Sequence, residues 1–217
     1  YLTIPYLDTS NIMGYKYFLN PYSKITSDHI NTYITTNYRV LVENNWLSDL
    51  NYLSNPGLFH PRRTTVKFIC DRGVSHEFVR HRVFSFAQES TRYCNYSKDK
   101  FNNELTFIKH CWLNDEKLKL YGDYHTVIRD KSPESIFIAN LNNVEKDYLD
   151  LIKLGWTPQQ ARQILPNALK TELVMTGFES DWKHFFELRC DTAAHPDARK
   201  LALELYKLIY NKEYGKE

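Results

Sequence analysis

Three observations predict an α/β fold for this chain of 217 residues, a mainly antiparallel sheet packed with helices. The chain is 42% hydrophobic and 15% aromatic, enough apolar side chain to bury a proper core in a single domain over 1–217, of which 1–26 is least assigned to any element. Residues 64–70 alternate, with Val66, Phe68 and Cys70 on one face and Thr65, Lys67 and Ile69 on the other, the period of a strand with one buried face. Elsewhere apolar positions recur every three or four residues, the period of helices that pack on one side.

In chain order, residues 1–25 are rich in Tyr, Pro, Asn and Ser with no sustained period, which predicts irregular backbone or a frayed strand. Ser27 reads as an N-cap. Ile30, Tyr33, Ile34, Tyr38 and Leu41 follow at helical spacing and predict a helix toward Leu53 that Asn55-Pro56-Gly57 stops. After the strand at 64–70, Asp71-Arg72-Gly73 predicts a turn. Glu77, Arg80, His81 and Phe84 then recur at three- and four-residue intervals, which places them on one helix face. Residues 90–100 form a polar loop bearing tyrosines. A long helix ends at Leu154 with Gly155 as its breaker, and Thr157-Pro158-Gln159-Gln160 starts another with an N-cap, a first-position proline and a capping-box Gln. Arg162 falls in that helix's second turn, and Leu165-Pro166 interrupts it. Residues 171–176 read as a strand, Ser180 caps a helix carrying Trp182, Phe185, Phe186 and Arg189, and a last amphipathic helix covers 197–210.

Composition narrows the function. Formal net charge is only +2, so affinity for anions must come from local clusters of Arg and Lys rather than from a general field. Cys70, Cys94, Cys111 and Cys190 include no Cys-x-x-Cys pair, which predicts reduced thiols and neither a disulfide framework nor a structural zinc site. His60, His76, His184 and His195 lack metal-ligand spacing, so no metal is expected. There is no apolar run long enough to span a bilayer, and a soluble, cytoplasmic protein is the expectation.

The chemistry concentrates at 80–92, Arg-His-Arg-Val-Phe-Ser-Phe-Ala-Gln-Glu-Ser-Thr-Arg. Arg80, Arg82, Arg92, Arg162 and Arg189 each stand in or beside an apolar or aromatic stretch. Snorkelling and surface ion pairs explain any one of them. A phosphorylated small molecule with a planar base explains all five together, because guanidinium forks match phosphate and rings match the base. Ser85 and Ser90 lack a Gly-x-Ser-x-Gly elbow, so hydrogen bonding suits them better than nucleophilic attack. His81, flanked by two cations, is expected neutral. Glu77 reads either as an intrahelical partner of Arg80 or His81 or as an acceptor for a ligand N–H.

Arg80-His81-Arg82, seven residues, then Ser90 resembles the signature of the flavin-dependent thymidylate synthases. Further blocks resemble the same family in order: Asp-Arg-Gly-Val-Ser-His-Glu at 71–77, Gln-Glu-Ser-Thr-Arg-Tyr-Cys-Asn-Tyr at 88–96, Leu-Pro-Asn-Ala-Leu-Lys-Thr-Glu at 165–172, and 182–189. The resemblance covers about residues 60–210. It implies methylation of dUMP to dTMP in nucleotide biosynthesis, with methylenetetrahydrofolate as carbon donor, FAD as hydride relay and NADPH as reductant. It also implies a homotetramer whose sites are shared between subunits, with no nucleic acid and no membrane as partner.

By the same resemblance, Arg189 is the catalytic residue, contacting the uracil and promoting ionisation at N3. Glu77, Phe78, Val79, Arg80, Gln88, Glu89, Ser90, Thr91, Arg92, Arg162 and Arg189 match the dUMP site, with Arg92 and Arg162 as phosphate candidates. Arg80, His81, Arg82, Val83, Gln88, Phe178, Glu179, Ser180, His184 and His195 match the FAD site. Ser90 positions dUMP rather than attacking it. Three features depart from the family. Asn55-Pro56-Gly57-Leu58-Phe59-His60-Pro61 stands where members carry His-x-x-x-x-Glu-His, Ala193 stands where many have a His, and the segment before Ser27 matches poorly. Two further readings are a binding module for single-stranded nucleic acid built on Tyr93, Tyr96 and Phe101 with nearby cations, and a family member that binds flavin without turnover.

Overall fold

The computed structural model describes residues 1–5, 10–114, 116 and 132–215. They form two compact units, the first within 1–66, 81–85 and 176–185, the second within 67–80, 86–175 and 186–217. The class is α/β as expected, and the described strands make two three-stranded sheets rather than one.

In the first unit, β1 (Leu2–Pro5), β2 (Lys24–Ser27) and β3 (Asn31–Thr35) pair antiparallel in the order β1-β3-β2, with Leu2 and Ile25 both opposite Ile34. Helices α1 (Ser10–Phe18) and α2 (Tyr38–Glu43) supply Tyr17 and Leu41 to a core with Leu2, Ile4 and Ile34. This arrangement corrects two expectations. The described part of residues 1–25 holds the strand β1, the helix α1 and the start of β2 rather than irregular backbone throughout, and no single helix spans 27–53, where only α2 and a 3₁₀ turn at Leu47–Tyr52 are helical. The Asp28 carboxylate accepts from the N–H groups of Ile30 and Asn31 at 2.7 and 2.6 Å, so the chain reverses just after Ser27. The β-branched residues Ile25, Thr26, Thr32, Ile34 and Thr35 then favour a hairpin over the helical spacing that Ile30 and Tyr33 mimic. The true cap is Asn37, whose Oδ1 accepts from the Val40 N–H at 3.0 Å, and Asn45 ends the helical stretch at φ 59°.

The segment at 55–61 is tied to β1 by His60, which is 3% exposed. Its Nδ1 accepts from the Gly57 N–H at 2.9 Å. That fixes the tautomer, so Nε2 carries the proton and donates it to the Leu2 carbonyl at 3.0 Å. Both ring nitrogens of His60 are thus engaged in holding the fold.

The second sheet comprises β4 (Arg63–Asp71), β5 (Ser85–Gln88) and β6 (Lys170–Phe178) in the order β4-β6-β5. β4 alternates as its sequence indicates, burying Phe68 and Cys70 and exposing Lys67 and Ile69. Asp71 opens a helix instead of a turn: its Oδ1 accepts from the Val74 N–H at 2.8 Å and caps α3 (Arg72–Phe78). α3 stops at Phe78, so Arg80, His81 and Phe84 do not share its face with Glu77. They lie in the turn that leads into β5, where a period of two prevails over the three- and four-residue spacing.

The remaining described elements follow the sequence closely. Ser132 caps α4 (Pro133–Lys153), and Gly155, at φ 96°, takes the left-handed conformation that ends it. In α5 (Pro158–Ala161) the Gln160 side chain accepts from the Thr157 N–H at 2.9 Å, the back-bond of a capping box. Arg162 begins a 3₁₀ turn at Arg162–Ile164 rather than a second α turn. Tyr148 of α4 packs with Tyr96, Leu105, Ala161 and Leu169 in this unit's core. Ser180 falls inside the first turn of α6 (Glu179–Arg189) rather than at its cap, and α7 (Pro196–Tyr210) closes the described chain. All four cysteines are free. No described helix is long and apolar enough to cross a membrane.

Candidate active site

The residues assigned to FAD fall mostly in the first unit. Phe178 ends β6 and Glu179-Ser180 open α6, a junction held by the Phe178 N–H donating to Asp181 Oδ2 at 2.9 Å. Two cations converge on it. The Lys24 ammonium lies 4.7 Å from the Phe178 ring centroid and donates to Ser180 Oγ, and the Arg63 guanidinium lies 5.2 Å from the same ring. Arg63 Nη2 donates to Ser85 Oγ and the Thr176 carbonyl at 3.2 and 3.3 Å, while its buried Nε has no protein partner. Burial lowers the pKa of Arg63 below its ordinary value. His81 is buried with its ring 5.0 Å from Phe185 and 6.3 Å from the exposed His184. Arg82 and Val83 are exposed beside it.

Arg80, Gln88, His195 and every residue assigned to dUMP lie in the second unit. Arg189 is bound twice by Glu77: Nη1 donates to Glu77 Oε2 at 2.8 Å and Nη2 to the Glu77 carbonyl at 2.6 Å. Its side chain is 13% exposed, and Glu77 holds the guanidinium through both terminal nitrogens. The Arg189 hydrogen bond is the main reason the Glu77 carboxyl sits below the usual carboxylate range, against a smaller opposing effect of burial. Glu77 therefore pairs chiefly with Arg189, and only at 3.9 Å with the exposed Arg80. Phe78 is fully buried 4.8 Å from Phe68, so its side chain serves the core.

Arg92 is tied to α5, the element that precedes Arg162. Arg92 Nε donates to Gln159 Oε1 at 2.6 Å, which leaves its two terminal nitrogens for a ligand and ties it to the element that leads into Arg162. Ser90 is exposed, and its Oγ accepts from the Arg92 N–H at 3.3 Å. No base lies in hydrogen-bond contact with Ser90 in the described structure. Thr91 is buried. Gln88 Nε2 donates to Ser75 Oγ at 2.8 Å and, more weakly, to Thr171 Oγ1 at 3.4 Å.

Glu89 is bound on both oxygens, by the Tyr96 hydroxyl at 2.9 Å and the Lys170 ammonium at 3.3 Å. Lys170 also meets Glu172 at 3.0 Å, and Lys67 meets Glu172 at 3.1 Å. Burial works against the charge on Lys170, but Glu172 and Glu89 outweigh it and raise its pKa. Tyr96 is buried and Phe101 packs against it at 5.0 Å, so two of the three rings considered for stacking bases are committed to the protein interior. Tyr93, beside Arg92, is exposed.

Several residues here were given no site role from the sequence. Lys24 and Arg63 come from segments with no motif, and only the fold brings them to Phe178. Lys170 and Glu172 had a readable signal, alternate positions of one strand facing Lys67 of another. Asp71, His110 and Asp197 bring potential ligand atoms within 4.8 Å of one another. His110 Nδ1 and Asp197 Oδ2 are 2.6 Å apart, and the Cys111 N–H donates to Asp197 Oδ1 at 2.8 Å. His195, by contrast, is exposed with its ring edge on Trp112 at 5.7 Å.

Comparison with known proteins places these residues in a family context. The profile of a family described as Thymidylate synthase complementing protein matches residues 46–212. A flavin-dependent thymidylate synthase of Geobacter sulfurreducens is 28% identical over 138 residues, 64% of this chain and 52% of that protein. One of Mycolicibacterium gilvum is 32% identical over 144 residues, 64% of this chain and 53% of that protein. The match thus spans about half the length of these relatives. Among solved structures, a flavin-dependent thymidylate synthase of Helicobacter pylori complexed with FAD and dUMP aligns with a TM-score of 0.47 and 20% identity, over 67% of this chain and 66% of that one.

Proposed function

The chain belongs to the Thymidylate synthase complementing protein family, and on that premise we propose that it is a flavin-dependent thymidylate synthase, methylating dUMP reductively to dTMP. Methylenetetrahydrofolate supplies the carbon and NADPH the reducing equivalents. The reading extends to a cytoplasmic homotetramer with sites shared between subunits, as the family resemblance implies. The observation that carries it is the Arg189 guanidinium, preset by two hydrogen bonds to Glu77 at the position where the family places the arginine of the uracil.

The residues assigned to FAD fit an anionic, ring-bearing cofactor. Arg63 Nε is a buried N–H without a protein partner, beside Lys24, Ser180 and the Phe178 ring, and a flavin nucleotide offers phosphate oxygens for such donors. When bound, FAD supplies hydride transfer, the part of the chemistry that side chains cannot perform. The protein's own contribution is binding, orientation and electrostatics. Arg189, cationic and nearly desolvated, favours the ionised form of uracil N3 and so activates the ring. Arg92, bonded to Gln159 of α5, and Arg162, which follows α5, take the phosphate. Ser90 orients the nucleotide by hydrogen bonding, in keeping with the lack of a contacting base.

Titration of the purified protein with FAD and then with dUMP tests this reading. Saturable binding of both is expected, followed by flavin-dependent dTMP formation. A protein that binds neither would sink it.

A further inference from the structure

Ser75 is buried with no exposed surface, carries no assigned role, and touches Gln88, a residue assigned to the ligand site. Its hydroxyl has one proton. The Ser75 Oγ lies 2.8 Å from the Arg72 carbonyl, and two oxygens at that separation need the proton between them, so Ser75 donates to Arg72. Toward Gln88, also at 2.8 Å, Ser75 can then only accept. A Gln side chain has two ends, and the end facing Ser75 must be the NH₂. The buried Thr171 hydroxyl, 3.4 Å from the same nitrogen, is a second contact to that end.

We propose that Ser75 is a positioning residue that fixes the orientation of the Gln88 amide, so that Gln88 Oε1 is presented to the nucleotide as a hydrogen-bond acceptor. This inference rests on the dUMP reading above. It assigns Gln88 a partner that donates. On dUMP that partner is the N3–H of the base before its ionisation or the 3′-hydroxyl of the sugar, because the ring carbonyls and the phosphate only accept at neutral pH. Without Ser75 the amide can turn over and offer its NH₂, which suits neither donor.

The test is a double-mutant cycle read as dUMP affinity of the flavin-loaded protein, with Ser75→Ala, Gln88→Ala, both together, and Ser75→Thr as the variant that keeps the hydroxyl. Ser75→Ala should weaken dUMP binding about three- to tenfold, the scale of one hydrogen bond. Ser75→Thr should restore it. In the Gln88→Ala background Ser75→Ala should have no further effect, a result that a general loss of packing would not give. Analogues then separate the two donors: methylation of N3, or removal of the 3′-hydroxyl, should erase the difference between Ser75→Ala and the unaltered protein for whichever group Gln88 binds. Equal dUMP affinity in Ser75→Ala and the unaltered protein, or an effect undiminished by Gln88→Ala, would overturn the inference alone. Unaltered protein that fails to bind dUMP would remove the functional reading and this inference with it.

Discussion

Arg189 is held by Glu77, and the pair has consequences for both activity and stability. Arg189→Ala should abolish dTMP formation, a loss of about a hundredfold or more, while flavin stays bound; near-normal turnover would refute the activating role. The same substitution should leave a mark on acid stability. The Glu77 carboxyl is held below its ordinary value chiefly by Arg189, so its contribution is present above the unfolded carboxylate range and fades as pH falls through the folded value. The gap in urea midpoint between the unaltered protein and Arg189→Ala should therefore narrow from neutral pH toward about pH 3. Ser90→Ala should keep activity within about tenfold, as expected for one lost hydrogen bond. Complete loss with dUMP affinity intact would revive a nucleophilic role. At this scale the sequence was informative about identity and poor about partners. The motif singles out Arg189, but its bond to Glu77 joins residues 112 positions apart. His60 shows the reverse: it lies in the 55–61 segment that departs from the family pattern, and its two nitrogens bind Gly57 and Leu2.

Among the elements, β6 places its last residues under a strict steric limit. A Cβ at Gly177 would lie 2.4 Å from the Phe84 ring, which is itself packed 4.7 Å from Trp182. Gly177→Ala must push that ring aside and should destabilise the protein by about 1–3 kcal/mol, read as a lower thermal midpoint. An unchanged midpoint would mean that the turn at 81–85 yields freely. Elements whose signals are local were legible: β4 by alternation, the end of α4 by Gly155, and α5 by its capping box. The region 27–53 was not, because a single Asp28 side chain decides the reversal and the helical spacing around it is incidental. The extent of α3 was lost for a related reason, since the three- and four-residue spacing from Glu77 to Phe84 continues past the point where the backbone leaves the helix.

Across the whole molecule, the candidate residues divide between the two units. Most FAD candidates belong to the first and all dUMP candidates to the second. This division could not be read from the sequence, because each unit is assembled from three separated stretches of chain. With a formal net charge of only +2, the proposed anion recognition would fall to local groups such as Arg63 and Lys24 beside Phe178, and to Arg92 and Arg162. The central claim is that these groups serve one reaction on dUMP. Tritium release from 5-tritiated dUMP, with FAD, NADPH and methylenetetrahydrofolate present and each omitted in turn, tests it most directly. Release that requires all three is the predicted result; no release from protein that holds both flavin and dUMP would contradict it.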